Sequence, residues 1–167
     1  LKQYIGEILN PEGIRLRTLR TDNGGEFIGS EFVAYCKTVG IHRELTSRYA
    51  PSQNGVAERA MRTLVEMSRT MLHYAGLSAQ WWTYAVLYAS YVRNRCTTKA
   101  LDGNIPFEAW TGNRVDLSTV HPFGSTVYAK VPDETRTKWD DKSVKCIFLG
   151  VDSNHKSYTV YNPTKDR

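Results

Sequence analysis

The feature that most constrains the fold of this chain is a run of apolar residues at helical spacing near its centre. The run begins after a polar stretch at 47–55 and ends at Gly76. Apolar side chains recur every three or four positions, which is the period of one face of an α-helix. The run therefore predicts one long helix with an apolar stripe along one face. The residues of that face are Val56, Ala60, Leu64, Met67, Met71 and Tyr74.

Shorter elements precede this helix. Apolar residues at helical spacing predict a helix over 1–9, and alternating residues predict a strand over 14–19. A second short helix is expected from Ser30, as its N-cap, to about residue 39, followed by a strand over 41–46. This order of strand, helix and strand is typical of an α/β protein.

The pattern changes after the long helix. Residues 79–95 predict a helix that is apolar over a wide arc, and such a helix is either deeply buried or shared with a partner. Three short runs rich in β-formers follow, at 126–131, 144–149 and 158–161, separated by polar turns. They predict a small barrel or sheet module that begins near Pro122.

Composition narrows the class of protein without naming a function. A hydrophobic content of 41% predicts a globular core, and a net charge of +5 suggests an anionic partner. The three cysteines are odd in number and far apart, so they favour a reducing, intracellular setting over a disulfide framework, and we expect them to be buried small hydrophobes. No apolar run approaches the roughly 20 residues that a membrane span needs.

Two acids stand at informative positions. Asp22 opens the run Asp-Asn-Gly-Gly at the end of the first predicted strand, and Glu58 lies in the first turn of the long helix. Each has an ordinary explanation alone, because Asp is common in turns and Glu complements the positive end of a helix dipole. Glu58 is also four residues before Arg62, the spacing of a weak surface ion pair. Thirty-five residues lie between the two acids.

Together the two acids favour a different chemistry. An acid at the end of a strand and an acid at the start of a helix can converge on one divalent cation such as Mg²⁺. Metals held in this way support in-line displacement at phosphorus. Amide side chains and arginines nearby would suit a phosphodiester substrate. We therefore predict that DNA is contacted by Asn23, Gln53, Asn54, Arg59 and Arg62.

These motifs resemble those of a known family. The run 19–27, Leu-Arg-Thr-Asp-Asn-Gly-Gly-Glu-Phe, followed by 53–59, Gln-Asn-Gly-Val-Ala-Glu-Arg, is similar to the integrase of copia-type LTR retrotransposons, within the retroviral integrase superfamily. The resemblance covers nearly the whole chain. It continues in the segments 81–85, 94–95, 106–110, 123–124 and 142–150.

The resemblance implies a fold. Residues 1–96 would be the C-terminal portion of an RNase H-like catalytic core, a mixed sheet with flanking helices. Residues 97–121 would be a connector. Residues 122–167 would be a small β-rich SH3-like module, truncated at its end. The fold class expected is therefore α/β.

The resemblance also implies a reaction. Such integrases process the 3′ ends of element DNA and join them to target DNA, with Mg²⁺ or Mn²⁺ held by three acids. Asp22 would be the second acid and Glu58 the third, so both would be catalytic metal ligands. The first acid would lie upstream of Leu1, and we therefore expect the fragment itself to be inactive.

The expected partners and location follow from the same resemblance. The partners are DNA, at the element ends and the target, and further copies of the full-length parent, with no membrane. The expected location is the nucleus if the host is eukaryotic, and otherwise intracellular.

Other readings remain open. The chain could belong to another RNase H-like nuclease that cuts without joining, or it could be a degenerate or domesticated nucleic-acid-binding module without catalysis. Glu26 and Glu31 lie just beyond the Asp22 loop and are weaker candidates for metal contact. The tyrosines at 84, 88 and 91 could stack on nucleobases or form a dimer interface, but we expect them to pack against the core or the SH3-like module.

Overall fold

The computed structural model of the chain describes residues 1–47, 55–152 and 157–164, which fall into two compact units. The first unit is Leu1–Ala60 and the second is Met61–Arg167. The predicted division into 1–96, 97–121 and 122–167 stays a prediction.

The first unit contains short helices around a pair of strands. Helix α1 (Lys2–Tyr4) continues into a π-helical turn (Ile5–Leu9). The remaining elements are β1 (Thr18–Thr21), α2 (Gly25–Ile28), α3 (Ser30–Thr38), β2 (His42–Leu45) and the start of α4 (Gly55–Ala75).

Strands β1 and β2 pair in parallel, with Thr18 opposite His42 and Thr21 opposite Leu45. Helices α2 and α3 provide the crossover that a parallel pair requires. Arg20 on β1 donates to the carboxylate of Glu44 on β2, with its Nη2 2.7 Å from Oε2. Because the two strands are parallel, their ends lie at the same edge of the sheet.

Two details of the first unit differ from expectation. The first strand begins at Thr18 rather than residue 14, because β2 offers a partner only from His42 to Leu45. Ser30 is the first residue of α3 and not its N-cap. Helix α2 ends at Ile28, so the next residue, Gly29, occupies the cap position of α3.

The second unit carries the rest of α4 and a three-stranded antiparallel sheet. Gly76 ends α4 with a φ of 63°, the left-handed conformation that glycine adopts without strain. A short 3₁₀ turn (Ala79–Trp81) leads into α5 (Trp82–Arg93). The later elements are α6 (Pro106–Thr111), β3 (Thr126–Lys130), β4 (Ser143–Asp152) and β5 (Ser157–Tyr161), with β4 central in the sheet. The predicted mixed helix and sheet class is confirmed.

Helix α5 packs on the sheet through Tyr88. Its ring meets the Phe148 ring edge-on at 5.2 Å, and both side chains are buried. The Tyr88 hydroxyl donates to the His121 carbonyl oxygen at 2.5 Å and accepts from the His121 N–H at 3.0 Å. Burial raises the pKa of this hydroxyl above its usual range. Tyr88 and Tyr91 thus pack inward as expected, whereas Tyr84 is 41% exposed.

The rest of α5 is less buried than its composition suggested. Ala85 and Ala89 are buried beside Tyr88, but Trp82 is 61% exposed and Leu87 is 65% exposed. Part of the wide apolar arc of α5 is therefore left exposed by the described residues that pack on it.

The cysteines follow the prediction in two of three cases. Cys36 and Cys146 are buried, whereas Cys96 is exposed because it lies in the polar connection after α5. None of the helices in the described ranges is long and apolar enough to cross a bilayer.

Gly124 provides a test of the packing between α4 and the segment before β3. Its φ is +78°, and a Cβ added there would lie 2.3 Å from the Ala75 Cβ. Gly103 has a φ of +87° but no heavy atom within 4 Å of an added Cβ. We expect Gly103→Ala to cost about 1–2 kcal/mol of unfolding free energy from backbone strain alone. Gly124→Ala should cost a further 1–3 kcal/mol or so from overpacking. Urea unfolding of both variants measures the difference, and equal losses would contradict the packing.

Candidate active site

Asp22 follows directly after the last residue of β1. Its Oδ1 accepts a hydrogen bond from the Gly24 N–H at 3.0 Å, which makes a local turn. The side chain is exposed to solvent. The turn therefore fixes one carboxylate oxygen and leaves the carboxylate open at the end of the strand.

Asn23 ties this turn to the neighbouring strand. Its Nδ2 donates to the Thr46 carbonyl oxygen at 2.9 Å. The Thr46 N–H in turn donates to the Thr21 carbonyl oxygen at 2.9 Å, and Thr21 and Thr46 are both buried. Sequence reasoning missed this role, since it assigned Asn23 only to DNA. The observed bond makes Asn23 a positioning residue for Asp22, and its predicted DNA contact stays a prediction.

Glu58 lies in the first turn of α4, as predicted, and is exposed. The Arg59 side chain folds back over the start of the same helix, so that a Cβ added at Gly55 would lie 3.1 Å from Arg59 Nη1. Arg62 is exposed one turn later. This helix start therefore presents one carboxylate and two guanidinium groups within five residues of the chain.

Two predicted site residues, Gln53 and Asn54, lie outside the residues that the structure describes. The convergence of Asp22 and Glu58 on one metal stays a prediction. Both acids belong to the first unit. Within the described ranges, no group of three His, Cys, Asp or Glu side chains is arranged to hold a metal ion.

Glu26 is closer to Asp22 than sequence reasoning suggested. A Cβ added at Gly24 would lie 2.7 Å from Glu26 Oε2 and 3.0 Å from Asp22 Oδ1. Two carboxylates on either side of a single glycine repel each other unless a cation or solvent screens them. The signal in the sequence was Gly24, whose lack of a Cβ leaves room for both carboxylates beside its backbone. The donor set at this loop suits a hard divalent cation, which prefers carboxylate oxygens.

Comparison with known proteins identifies sequences that are similar to this chain. A family model described as the retroviral polymerase SH3-like domain matches residues 125–167. The chain is 43% identical to the retrovirus-related Pol polyprotein from transposon TNT 1-94 of Nicotiana tabacum, over 93% of this chain and 12% of that polyprotein. It is 33% identical to the Pol polyproteins from transposons RE1 and RE2 of Arabidopsis thaliana, over 86% of this chain and 10% of each. The chain is therefore similar to one segment of these retrotransposon Pol polyproteins.

A solved structure of another protein has the same fold as this segment. A chain of the simian T-cell lymphotropic virus intasome, solved in complex with PP2A regulatory subunit B56 gamma, matches with a TM-score of 0.52 at 14% identity. The match covers 95% of this chain and 60% of that one. It confirms the predicted integrase-like fold with a C-terminal SH3-like module. The segment spans about a tenth of the length of the curated polyproteins that it matches.

The Asn23 bond can be tested by hydrogen exchange. Asn23→Ala leaves the Thr46 carbonyl without its side-chain donor and should weaken the closure of both strand ends by about 1 kcal/mol. The Thr46 amide, which donates to Thr21, should then exchange about fivefold faster. Asn10→Ala, at an exposed turn in the same unit, is the control and should leave Thr46 unchanged. An unaltered Thr46 exchange rate in Asn23→Ala would remove Asn23 from its positioning role.

Proposed function

We propose that this segment supplies two of the three metal-binding acids of a copia-type retrotransposon integrase. The observation that carries the proposal is the position of Asp22 at the end of a parallel strand pair, in a chain that also places Glu58 in the first turn of a long helix. The similarity to transposon Pol polyproteins over 93% of the chain supports it. The reaction is the processing of element DNA ends and their joining to target DNA.

The residues fit divalent metal chemistry. Asp22 and Glu58 would hold Mg²⁺ or Mn²⁺, with Glu26 close enough to Asp22 to add a ligand or to steer it. When bound, the metal activates the attacking hydroxyl and stabilises the leaving oxygen of a phosphodiester. The turn bond from Gly24 and the Asn23 bond to Thr46 would keep the Asp22 carboxylate in place while DNA enters.

The third acid is proposed to come from upstream of Leu1. In the described part of the chain, β1 pairs with β2 on one side, so its other edge can accept a further strand. A parallel strand there would end beside Asp22. The resemblance to copia-type integrases implies that the first acid lies at the end of such a strand. The 167-residue segment alone should therefore neither process nor join DNA.

The SH3-like sheet offers a surface for the proposed DNA partner. Tyr128 is 69% exposed on β3 and lies opposite Lys145 of β4 in the ladder. Thr126 and Lys130 are exposed on the same side of β3. Ammonium groups beside an exposed aromatic ring suit a phosphate backbone with unstacked bases. We also propose assembly with further copies of the parent, and the nucleus as the location in a eukaryotic host.

Carboxamide substitutions test the two acids. In the parent protein, with the upstream region present, Asp22→Asn and Glu58→Gln should each lower strand transfer on the order of 10³-fold, because loss of a metal ligand removes several kcal/mol of transition-state stabilisation. The measurement is joining of a labelled element-end oligonucleotide to target DNA in Mg²⁺.

Glu66→Gln is the matched control, since Glu66 is an exposed acid on the same helix two turns beyond Glu58. It should retain full joining, and the 167-residue segment should show none. Full activity of both Asp22→Asn and Glu58→Gln would refute the assignment. Cleavage without joining by the unmodified parent would favour the nuclease instead.

Salt dependence tests the proposed phosphate contact of Arg62. Arg62→Ala should weaken duplex binding by the segment and reduce the slope of log affinity against log salt by about 1, the value for one lost phosphate contact. Arg93→Ala, an exposed arginine at the end of α5, is the control and should leave the slope unchanged. Identical slopes for Arg62→Ala and the unmodified segment would exclude the contact.

A further inference from the structure

The second unit contains an open cavity of about 520 Å³ between the end of α5, the α6 segment and the β4–β5 hairpin. We call it the Arg95 cavity. Its volume lies within the range of small-ligand sites, roughly 300–1,000 Å³. Its lining combines three aromatic rings with both signs of charge. The residues that matter here are Tyr91, Arg95, Phe107, Arg114, Asp116 and Tyr158.

Arg95 is held rigidly at the wall of this cavity. Its guanidinium carbon lies 3.5 Å from the centre of the Tyr91 ring and 4.6 Å from that of Phe107. Its Nη1 also donates to the Tyr91 carbonyl oxygen at 3.2 Å. A guanidinium fixed between two rings loses little side-chain entropy when its remaining N–H groups bind a ligand.

Tyr91 and Tyr158 are fixed as well. The Tyr91 hydroxyl lies 2.9 Å from Thr119 Oγ1. The Tyr158 hydroxyl lies 3.3 Å from His121 Nε2, and the Tyr158 ring contacts the Phe148 ring at 5.8 Å. Tyr158 nevertheless remains 48% exposed. The Tyr91 ring is covered by the Arg95 guanidinium and stacks on the Tyr88 ring at 5.9 Å, so Tyr158 supplies the ring surface that is ordered and still accessible.

The polar groups of the lining offer donors and an acceptor together. Arg95 and Arg114 supply N–H donors, and Asp116 supplies a carboxylate. Hydrogen bonds from the Ser118 side chain and N–H lower the pKa of Asp116, so this group is ionised near neutral pH. Asp152 also lines the cavity. The formal charges of these four residues cancel.

We propose that the Arg95 cavity binds a single unstacked nucleobase of single-stranded DNA. A nucleobase is a flat, uncharged ring that stacks on aromatic side chains and carries both hydrogen-bond donors and acceptors on its edge. An isolated phosphate would meet the carboxylate of Asp116, and a simple cation would meet the two arginines. The mixed lining therefore matches the base better than either ion.

The inference rests on the proposed function, because it assumes that the segment acts on DNA. It adds that the connector and the SH3-like module together hold one base of a strand that is not paired. Such a base would occur where an element end is frayed or overhanging. The contact would fix the strand by its base, whereas the lysines of the SH3-like sheet would contact its backbone.

The test compares strands with and without bases. Fluorescence anisotropy of the 167-residue segment is measured with a labelled 12-nucleotide single strand, with a strand of the same length that is abasic at every position, and with a duplex. The base-containing strand should bind at least about fivefold more tightly than the abasic strand, since one stacked base contributes that factor or more.

A double variant that keeps the net charge tests whether the preference for the base arises in the Arg95 cavity. Arg114→Met combined with Asp116→Ala removes the donor and the acceptor without changing net charge, and it should bring the preference for the base close to one. Arg93→Met combined with Asp141→Ala is the matched control at exposed positions outside the cavity, and it should keep the preference. A central 5-iododeoxyuridine should crosslink to a peptide that contains Tyr91, Phe107 or Tyr158.

Three results would overturn the proposal. One is equal binding of the base-containing and abasic strands. Another is a preference that survives in the Arg114 and Asp116 variant. The third is crosslinking confined to Tyr128 on the SH3-like sheet or to Trp139 in the turn before β4. If duplex binding persists in these cases, only the cavity inference fails. If neither duplex nor single strands bind, the proposed DNA partner fails as well.

Discussion

The parallel pairing of β1 with β2 is the interaction on which the candidate active site depends. It brings the ends of both strands to one edge, where the Thr46 N–H bonds to the Thr21 carbonyl and Asn23 bonds to the Thr46 carbonyl. These bonds fix the backbone on each side of Asp22. The carboxylate can then be both exposed and well placed, which a metal ligand requires. Loss of the pairing would leave Asp22 as an ordinary turn residue.

A different interaction organises the second unit. The Tyr88 hydroxyl bonds to both backbone groups of His121, and its ring packs against Phe148 in the sheet. One side chain therefore anchors α5 to the segment before β3 and to β4. The same anchor holds His121 beside Tyr158, so the wall of the Arg95 cavity depends on it. Core packing and the proposed base-binding site are thus built from adjoining residues.

Sequence reasoning predicted most elements because their periods are distinct. The apolar stripe from Val56 to Tyr74 gave α4, and the three β-rich runs gave the antiparallel sheet. Sequence reasoning placed the start of β1 wrongly, because the length of this strand is set by its pairing with β2, which is distant in the sequence. Asp22 and Glu58 could be proposed from residue type and spacing. The Asn23 bond, the return of Glu26 toward Asp22 and the stacking of Arg95 are long-range or turn-dependent contacts that leave no periodic signal.

We propose that Asp22 and Glu58 bind the same divalent cation. Paramagnetic broadening by Mn²⁺ in NMR spectra of the segment tests this most directly, because broadening falls off steeply with distance from the ion. The amide signals of residues 22–24 and 57–59 should broaden together, with the same dependence on Mn²⁺ concentration, and Asp22→Asn should weaken both effects. Broadening at only one of the two acids, or at neither, would contradict it.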